Sequence, residues 1–477
     1  VPIYQNHFLN WQNSRYTSVS DTFGKLLVIC PSTYLTQIAP YVNWKTQKGI
    51  PTELIDFATI GTTAAQLKTY IQNRYNADTS IAFIQIVGDD SDVPAYDYGT
   101  DESDPSYSLV AGNDEYPDIF IGRFSANSTT DVTTQVNKTI AFERDVTTSA
   151  TWLQKAFGIG SSSGTGDDGE YDYQHIANIK TDLVNYGYTT VDEIYYDSST
   201  AAQVTTAVNG GRGFGNYCGH GSTTSWGTTG FSNTNVNALT NGSMTPFIVS
   251  VACVNGDFAE TTCFAEAWLR KSGGGAVAFY GSSVNQSWNP PMIAQDEITD
   301  LLVAEQKTTI GGLFYNGACR MLDESSDYQM FRTWHIFGDA SLVARTKTPI
   351  AMTVTHPSSI SAGTTSINVS AGVANALVSI TYNNTIYGRA FTNSSGNATV
   401  TLTNPPSGTV TYTITVTAFN RVTYTSSINQ IPASGPWLNV TAANYDDDNN
   451  DVPEYNEAGY LDVTFLNSGT VTATNVS

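Results

Sequence analysis

Cysteine is scarce in this 477-residue sequence, which holds five, at positions 30, 218, 253, 263 and 319. They are too few and too scattered for the disulfide framework of a small secreted domain, and none shows the CxxC spacing of a zinc site. The odd number of cysteines is compatible with a chain that keeps a free thiol.

Positive charge is also in short supply, with 21 Lys and Arg against 43 Asp and Glu and a net charge of −22. Nucleic acids and anionic membranes would repel such a chain, so we expect neither as a partner. No apolar run approaches the roughly 18 residues of a membrane helix, which argues against direct membrane insertion. The first residues, Val1 to Tyr4, do not form a signal peptide, and we expect a mature form from which any signal and pro-segment have been removed.

The length predicts two to four domains, on a prior of about 150 residues each. After an irregular lead-in at residues 1–24, strands alternate with helices, which predicts an N-terminal α/β subdomain over residues 1–150 and a catalytic subdomain over residues 151–347. The predicted strands are residues 25–30, 51–57, 81–87, 118–124, 155–160, 189–195, 213–218, 246–252 and 276–280. The predicted helices are residues 34–48, 64–75, 131–144, 173–186, 201–208, 264–271, 293–305 and 313–322.

Two apolar strands of the second subdomain each end in a residue capable of covalent chemistry. The strand at 213–218 leads to His220, and the strand at 246–252 leads to Cys253. Loops at the carboxyl edge of a parallel sheet carry its functional residues, so we expect the two side chains to be neighbours. A thiol is a good nucleophile only as a thiolate, which an adjacent imidazole promotes. Alternatively, Cys253 is a core cysteine and His220 a loop residue, but two strand-end positions favour the catalytic interpretation.

The same two turns predict an oxyanion hole. Backbone N–H groups of Gly221 and Cys253 are placed to converge on a carbonyl oxygen, and fixed donors of this kind contribute about 3 kcal/mol each. The expected reaction is attack by Cys253 on a carbonyl carbon, proton delivery to the leaving group by His220, and hydrolysis of the acyl-enzyme.

Six segments resemble the gingipain family of secreted cysteine endopeptidases. They run in consistent order through residues 25–430 and are Asn216 to Ser222, Val251 to Phe258, Gly112 to Asp114, Ile121 to Ser125, Pro290 to Asp296 and Phe337 to Asp339. The resemblance implies a caspase-like α/β fold with mainly parallel sheets, secretion or a bacterial surface location, and cleavage after Arg or Lys. Protein or peptide substrates are the implied partners.

The residue that would orient the histidine departs from the family pattern. Where the family has a carboxylate after the strand at 155–160, the alignment places Ser163. Asp167 or Asp168 of the same loop is one replacement. A Cys-His dyad without a third member is the other, and we favour it slightly, because an orienting carboxylate improves the base without being indispensable.

The resemblance also implies a first substrate pocket. Its acid maps onto Asp172, an aromatic cover onto Trp288, and the walls onto Val251 and Cys218. A desolvated carboxylate would select a cationic side chain, and only Arg389 and Arg421 are basic after Pro349, which is weak support for cleavage after Arg or Lys. The alternative role for Asp172 is helix N-cap, and one residue serves only one of the two roles well.

A structural calcium ion is the implied cofactor. The loop at residues 91–117 is long and acidic, and the resemblance carries a calcium site onto Asp89, Asp114 and Asp118. Calcium takes six to eight oxygen ligands, and clustered carboxylates repel each other unless a cation offsets them. Without the resemblance, solvated loop acids would be the better interpretation.

The composition shifts to Thr, Val, Ser and Asn beyond Thr348. About seven short strands over residues 348–431 predict an immunoglobulin-like β-sandwich. We favour a rigid spacer or a chaperoning buttress for the enzyme over ligand binding as its role. Residues 437–477 predict the start of a further β-rich module, and any cell-surface attachment would lie in a missing C-terminal region. The acidic segment from Asp446 to Glu457 has oxygen ligands at EF-hand spacing but lacks the central glycine, so an acidic turn is the better interpretation.

Two classes of function fit these observations. A secreted cysteine endopeptidase is favoured because His220 and Cys253 both stand in their full motifs. A catalytically silent surface adhesin, with the peptidase fold as a scaffold, is the alternative, and Ser163 is the one mark in its favour.

Overall fold

The computed structural model describes residues 24–259, 262–432, 434–446, 459–467, 469 and 471–476. The predicted lead-in lies outside the described residues except for Gly24, and the predicted acidic turn lies outside them except for Asp446. The chain divides near residue 351 into two compact units.

The first unit alternates strands with helices. Its strands are β1 (Lys25–Cys30), β2 (Thr52–Asp56), β3 (Ile81–Val87), β4 (Asp97–Tyr98), β5 (Asp101–Glu102), β6 (Phe120–Phe124), β7 (Lys155–Gly160), β8 (Thr190–Tyr195), β9 (Phe214–Cys218), β10 (Gly221–Ser222), β11 (Ser225–Trp226), β12 (Phe247–Val251), β13 (Ala278–Ser282) and β14 (Trp334–Gly338). Its α-helices are α1 (Leu35–Lys48), α2 (Ala64–Ala77), α3 (Thr129–Arg144), α4 (Asp172–Tyr186), α5 (Ala201–Asn209), α6 (Asn233–Asn237), α7 (Phe264–Arg270), α8 (Asn289–Val303), α9 (Ile310–Ser325) and α10 (Tyr328–Thr333).

Ten of these strands form one sheet, in the order β2-β1-β3-β6-β14-β13-β12-β9-β7-β8. Neighbouring strands are parallel everywhere except between β13 and β14, which are antiparallel. The sheet therefore consists of two parallel halves that run in opposite directions. The carboxyl ends of β7, β8, β9, β12 and β13 meet at one edge, and those of β1, β2, β3 and β6 meet at the other.

The predicted α/β fold with mainly parallel strands is confirmed. The predicted division at residue 150 separates the strands of the two halves with one exception, because β14 comes late in the chain but runs with the first half. The central strands are buried along their whole length, as in β12, Phe-Ile-Val-Ser-Val, because helices cover both faces of a parallel sheet. Helix α4 packs on β7, β8 and β9, and α7 packs on β13 and β14.

The second unit is an all-β sandwich, as predicted. Its strands are β15 (Ser359–Ser361), β16 (Ser366–Ser370), β17 (Leu377–Tyr382), β18 (Thr385–Phe391), β19 (Asn397–Thr401), β20 (Val410–Thr417) and β21 (Tyr424–Ile431). Five of them form the sheet β15-β21-β20-β17-β18, and β16 pairs with β19. Alternate residues such as Val378, Ile380, Ile414 and Val416 are buried between the layers.

After this sandwich, β22 (Leu438–Asp446) and β23 (Tyr460–Asn467) form an antiparallel hairpin. Its apolar side chains are largely exposed, as Val440 and Leu461 show with 59% and 64% of their surface accessible. A lone hairpin buries little core.

Candidate active site

His220 and Cys253 follow neighbouring parallel strands at equivalent positions. Cys218 of β9 is paired with Val251 of β12, and the Gly219 N–H donates to the Val251 carbonyl at 3.1 Å. Each of the two reactive residues stands two positions beyond that pair. The structure therefore brings the two side chains to the same point of the sheet edge, as the strand pattern predicted.

The backbone around His220 is fixed while its ring is exposed. The His220 carbonyl accepts hydrogen bonds from the Gly227 N–H at 2.7 Å and the Tyr217 hydroxyl at 2.5 Å. The Trp288 ring meets the imidazole edge to face, with ring centroids 5.3 Å apart. The imidazole is thus oriented by its surroundings and open to a substrate.

Cys253 lies in a strained turn. The Ala252 N–H before it donates to the Gln286 side-chain oxygen at 2.8 Å, and the Val254 N–H after it donates to the Val284 carbonyl at 2.9 Å. Val254 adopts a φ of 49°, a conformation that is unusual for a β-branched residue and that clusters at functional sites. Within the part of the chain that the structure describes, the Cys253 N–H itself has no hydrogen-bond partner.

Gly221 closes the other side of this turn. A Cβ atom at position 221 would lie 2.5 Å from the Cys253 carbonyl oxygen, so any larger residue would push the histidine and cysteine loops apart. The predicted oxyanion pair, Gly221 and Cys253, is therefore in direct backbone contact.

Asn255 ties the two catalytic loops together, a role that we did not predict although the residue lies in the cysteine motif. Its side-chain oxygen accepts from the Ser250 hydroxyl at 2.9 Å, and its amide donates to the carbonyls of Ser222 at 2.7 Å and Ser225 at 3.2 Å. Asn255 is fully buried, so these bonds are shielded from water. Gln286 is a second unpredicted residue, and both functions depend on contacts between segments far apart in sequence.

The loop after β7 places Ser163 beside the histidine. The Ser163 hydroxyl lies 3.3 Å from His220 Nε2, and the Ser163 N–H donates to the Ser161 hydroxyl at 3.0 Å. Asp167 and Asp168, the predicted replacements for the missing carboxylate, form a short 3-10 helix and make no contact with His220 among the described residues. The contact to His220 from this loop therefore comes from Ser163, the residue that the alignment places at the third position, and not from Asp167 or Asp168.

Asp172, the predicted pocket acid, is buried next to this loop. It is the first residue of α4 and not its N-cap, which is Tyr171. Its Oδ2 accepts from the Ser161 hydroxyl, while its Oδ1 is buried without a hydrogen-bond partner in the described chain. Burial raises the pKa of Asp172, against the lowering effect of hydrogen bonds from Ser161 and Cys218. Among the described residues, no lysine or arginine is paired with this buried carboxyl group.

The other predicted pocket residues surround that carboxylate. Cys218 and Val251 are paired and buried, and burial together with the charge of Asp172 raises the pKa of the Cys218 thiol. Trp288 is half-buried and lies against His220. The structure therefore brings Asp172, Cys218, Val251 and Trp288 together in one cluster beside His220.

The predicted calcium ligands fall into two separate groups. Asp89 follows the carboxyl end of β3 and pairs with Arg270 at 3.0 Å, whereas Asp114 and Asp118 precede the amino end of the neighbouring parallel strand β6. Opposite edges of such a sheet are roughly 20 Å apart. The prediction that Asp89 shares a cation with Asp114 and Asp118 is therefore wrong.

Asp114 and Asp118 remain together as an anionic pair. Asp118 Oδ2 accepts from the N–H groups of Val110 at 2.8 Å and Ala111 at 2.7 Å. Burial raises the pKa of Asp118, and the charge of Asp114 adds to the effect. Within the described ranges no group of three or more His, Cys, Asp or Glu side chains is arranged to hold a metal, so backbone oxygens would have to complete any shell around this pair.

Comparisons with known proteins identify relatives of this chain. Gingipain R1 of Porphyromonas gingivalis is 39% identical over 417 residues, which cover 84% of this chain and 42% of that protein. Lys-gingipain of the same organism is 27% identical over 433 residues, which cover 81% of this chain and 25% of that protein. The chain thus spans less than half the length of these relatives.

A solved structure matches more completely. The crystal structure of the Arg-specific cysteine proteinase gingipain R superposes with a TM-score of 0.85 at 36% identity, covering 87% of this chain and all of that one. A model of peptidase family C25 matches residues 20–345, and a model of that family's C-terminal Ig-like domain matches residues 355–431. With both family domains present in order, the chain belongs to peptidase family C25.

Proposed function

We propose that this chain is a cysteine endopeptidase in which Cys253 is the nucleophile and His220 the general base. The observation that carries the proposal is the placement of both residues two positions beyond a paired Cys218 and Val251. Family membership supports it. A catalytically silent binding protein would need neither a reactive thiol beside an open imidazole nor the unpaired N–H of Cys253.

The reaction follows from these groups. The Cys253 thiol transfers its proton to His220, and its sulfur attacks the peptide carbonyl carbon. The carbonyl oxygen becomes an oxyanion, for which the N–H groups of Cys253 and Gly221 are the proposed donors. His220 then gives its proton to the leaving amine as the C–N bond breaks. A water molecule, deprotonated by His220, hydrolyses the thioester and releases the thiol.

Cleavage after Arg or Lys is the proposed specificity. One side-chain oxygen of the buried Asp172 has no hydrogen-bond partner among the described residues, and the cationic side chain of a substrate would supply one. The relatives support both residues, since one is an Arg-specific proteinase and another a Lys-gingipain. The higher identity to the Arg-specific proteins favours Arg as the better substrate.

The proposal also includes a structural calcium site and a location outside the cell. A structural calcium ion would bind Asp114 and Asp118 together with backbone carbonyl oxygens of the same loop. The protein would act outside the cell, secreted or at a bacterial surface, as the family resemblance implies. Within the ranges that the structure describes, none of the helices combines the length and apolar character needed to cross a membrane.

Replacing Cys253 with Ala tests the nucleophile. We expect Cys253→Ala and His220→Ala each to lower kcat/KM on an Arg-containing peptide by about a thousandfold or more. The nucleophile and its base act as a unit, so the loss of either one removes most of the catalysis. Circular dichroism would show that the fold is kept. Either variant retaining more than a few per cent of the activity would show that the nucleophile or base is another residue.

Matched substrates that differ only before the cleaved bond test the pocket. We expect Arg to exceed its neutral isostere citrulline by about 30-fold or more in kcat/KM, and Asp172→Asn to remove most of that difference. Because burial raises the pKa of Asp172, the Arg preference should fade on acidification at a higher pH than an exposed Asp would show. A preference for Asp, Asn or an apolar residue would refute the assignment.

A further inference from the structure

Three tyrosines form an exposed stack next to the active site, which we call the tyrosine platform and define as Tyr171, Tyr173 and Tyr196. The rings of Tyr171 and Tyr173 are stacked at 5.9 Å between centroids, and Tyr173 meets Tyr196 at 4.8 Å. Tyr171 is 42% exposed and Tyr196 is 50% exposed. Among the described residues none of the three hydroxyl groups has a hydrogen-bond partner. Large aromatic surface left open to water in this way is typical of a binding surface.

The platform belongs to the same sheet edge as the catalytic pair. Tyr196 directly follows β8, and its N–H donates to the Gly160 carbonyl at the end of β7 at 2.9 Å. Tyr171 forms a bridge with Gly164 of the loop that carries Ser163. Tyr171 and Tyr173 also flank the pocket acid Asp172, whose side chain is turned inwards. The platform is therefore a continuation of the surface formed by the pocket and the His220 loop.

Tyr196 is held in an unusual backbone conformation. Its φ is 71°, a value that residues with bulky side chains rarely adopt. Strained residues of this kind cluster at ligand-binding sites, where the surrounding structure enforces them. At position 196, the strain turns an aromatic side chain towards the neighbouring ring of Tyr173. Gly or Asn would adopt this φ with less strain, so local folding alone does not explain a tyrosine at position 196.

The surroundings of the platform are acidic. Asp197 accepts from the Ser162 N–H at 3.2 Å, and Asp168 and Glu170 precede Tyr171 in the same loop. From Ser161 to Thr200 the sequence holds a single lysine or arginine, Lys180, which pairs with Glu193. Ring faces and carboxylates both attract a cation, so the chemistry of this surface favours a positively charged side chain.

The strand order sets how far the platform lies from the reacting sulfur. Strands β12, β9, β7 and β8 are successive neighbours, and Cys253 and Tyr196 follow the first and the last of them. Three spacings of about 4.8 Å make about 14 Å, which an extended peptide covers in about four residues.

We propose that the tyrosine platform is a second specificity site that binds an Arg or Lys side chain of the substrate three to five residues from the cleaved bond. The proposal rests on the proposed peptidase function and adds a second basic residue to the recognised sequence. A cation stacked on exposed aromatic rings changes affinity by about fivefold.

Kinetics on short and extended substrates test the proposal. The short substrate is an acyl-Arg arylamide, which ends at the first pocket. The extended substrates are quenched peptides with Arg fixed before the cleaved bond and with Arg, Gln, Phe or Glu at each position three to five residues away on either side. Mass spectrometry scores cleavage at the intended bond alone.

We expect one position at which Arg exceeds Gln by about fivefold in kcat/KM and Glu falls below Gln. The double variant Tyr171→Leu/Tyr196→Asn should lose this preference, since Leu removes the ring and Asn tolerates the φ of residue 196. Its kcat/KM on the short substrate should stay within about twofold of the wild-type value. Val184→Ala, a change at a 47% exposed residue of the same helix α4, is the matched control and should keep the preference.

Different results refute the two proposals separately. Equal kcat/KM for all four side chains, a Phe preference, or an equal loss on short and extended substrates would refute the platform while leaving the peptidase intact. Failure of the folded wild-type protein to hydrolyse even the short substrate would refute the peptidase function. It would also refute the platform proposal, which rests on that function.

Discussion

Single side chains divide into those that carry chemistry and those that hold the fold, even within one motif. Arg123, in one of the segments that resemble the gingipain family, is fully buried and pairs with Asp104 at 2.6 Å. Asp339, in another, pairs with the buried Lys45 at 2.6 Å. Breaking such buried pairs leaves an uncompensated charge, which typically destabilises a protein by 3–5 kcal/mol. These motif residues are therefore structural, whereas Cys253 and His220 are exposed enough to meet a substrate.

The contact between the Ser163 hydroxyl and His220 indicates a role for this side chain in catalysis, although the alignment marks it only as a departure from the family pattern. We expect Ser163→Ala to lower kcat/KM by about fivefold, the value of one hydrogen bond of about 1 kcal/mol to His220. Ser163→Asp should move the acid limb of the pH profile to higher pH, because a carboxylate stabilises a protonated imidazole. The measurement is kcat/KM against pH. Ser162→Ala, at the exposed neighbouring position, is the control, and a Ser163→Ala enzyme equal to it at every pH would contradict the role.

Loops and helix ends at the catalytic edge gather negative charge. Asp296 of α8 lies beside Asp167 and Glu170 of the loop after β7, and its Oδ1 is 3.5 Å from Nδ1 of the buried His175. Burial lowers the pKa of His175 to about 4, so this ring is neutral at physiological pH and offers no compensating charge. Burial, followed by the charges of Asp167 and Glu170, raises the pKa of Asp296 to about 8.

This raised pKa predicts a pH-dependent stability. The folded protein keeps the Asp296 proton up to about pH 8, while the unfolded chain loses it near pH 4, so stability falls as the pH rises between these values. Asp296→Asn should raise the melting temperature by about 1–2 °C at pH 8 and leave it unchanged at pH 4. Because 44% of the side chain is exposed, salt should shrink the effect. An equal shift at both pH values would contradict this explanation.

A calcium ion in the loop between β3 and β6 should stabilise the protein through Asp114 and Asp118 but not through Asp89. Chelation should lower the melting temperature, because an ion that binds only the folded state stabilises it by mass action. Asp114→Asn/Asp118→Asn should remove this sensitivity. Asp89→Asn, which breaks the pair with Arg270 instead, should keep it and serves as the control. Continued sensitivity in the double variant would place the ion elsewhere.

For the whole chain, burial makes one thiol different from the others. None of the five cysteines forms a disulfide, and Cys30, Cys218, Cys263 and Cys319 are buried with at most 2% of their surface accessible, whereas Cys253 is partly exposed. Thiols react as accessible thiolates, so the four buried groups should be inert in the native protein.

A thiol count on the intact chain checks this difference. A chromogenic disulfide reagent should report one reactive thiol per native chain and five after denaturation. Cys253→Ala should report none and then four. A fast-reacting thiol that remained in the native variant would show that a buried cysteine becomes accessible, and it would weaken the assignment of Cys253 as the distinctive nucleophile.

The amino-acid sequence was sufficient for the features that depend on local pattern. Apolar runs that end in Gly-His-Gly and in Cys marked two buried strands and the loops after them, because strand periodicity and turn residues act over a few positions. The helix at residues 173–186 and the strand at 155–160 were placed within one residue of α4 and β7 for the same reason. The seven-stranded sandwich was also predictable from its alternating pattern.

The tertiary structure decided everything that depends on strand order and direction. The unpredicted strand β14 joins the two halves of the sheet antiparallel to β13, so that the carboxyl ends of the two halves lie at opposite edges. Asp89 and Asp118 are far apart because they flank opposite ends of β3 and β6, which pair in parallel. The side chain that reaches His220 and the amide that ties the two loops together are determined by how the loops after β7 and β12 each pack against the loop after β9. Local periodicity carries no information about such long-range register, because every pairing of buried apolar strands satisfies the same pattern of burial.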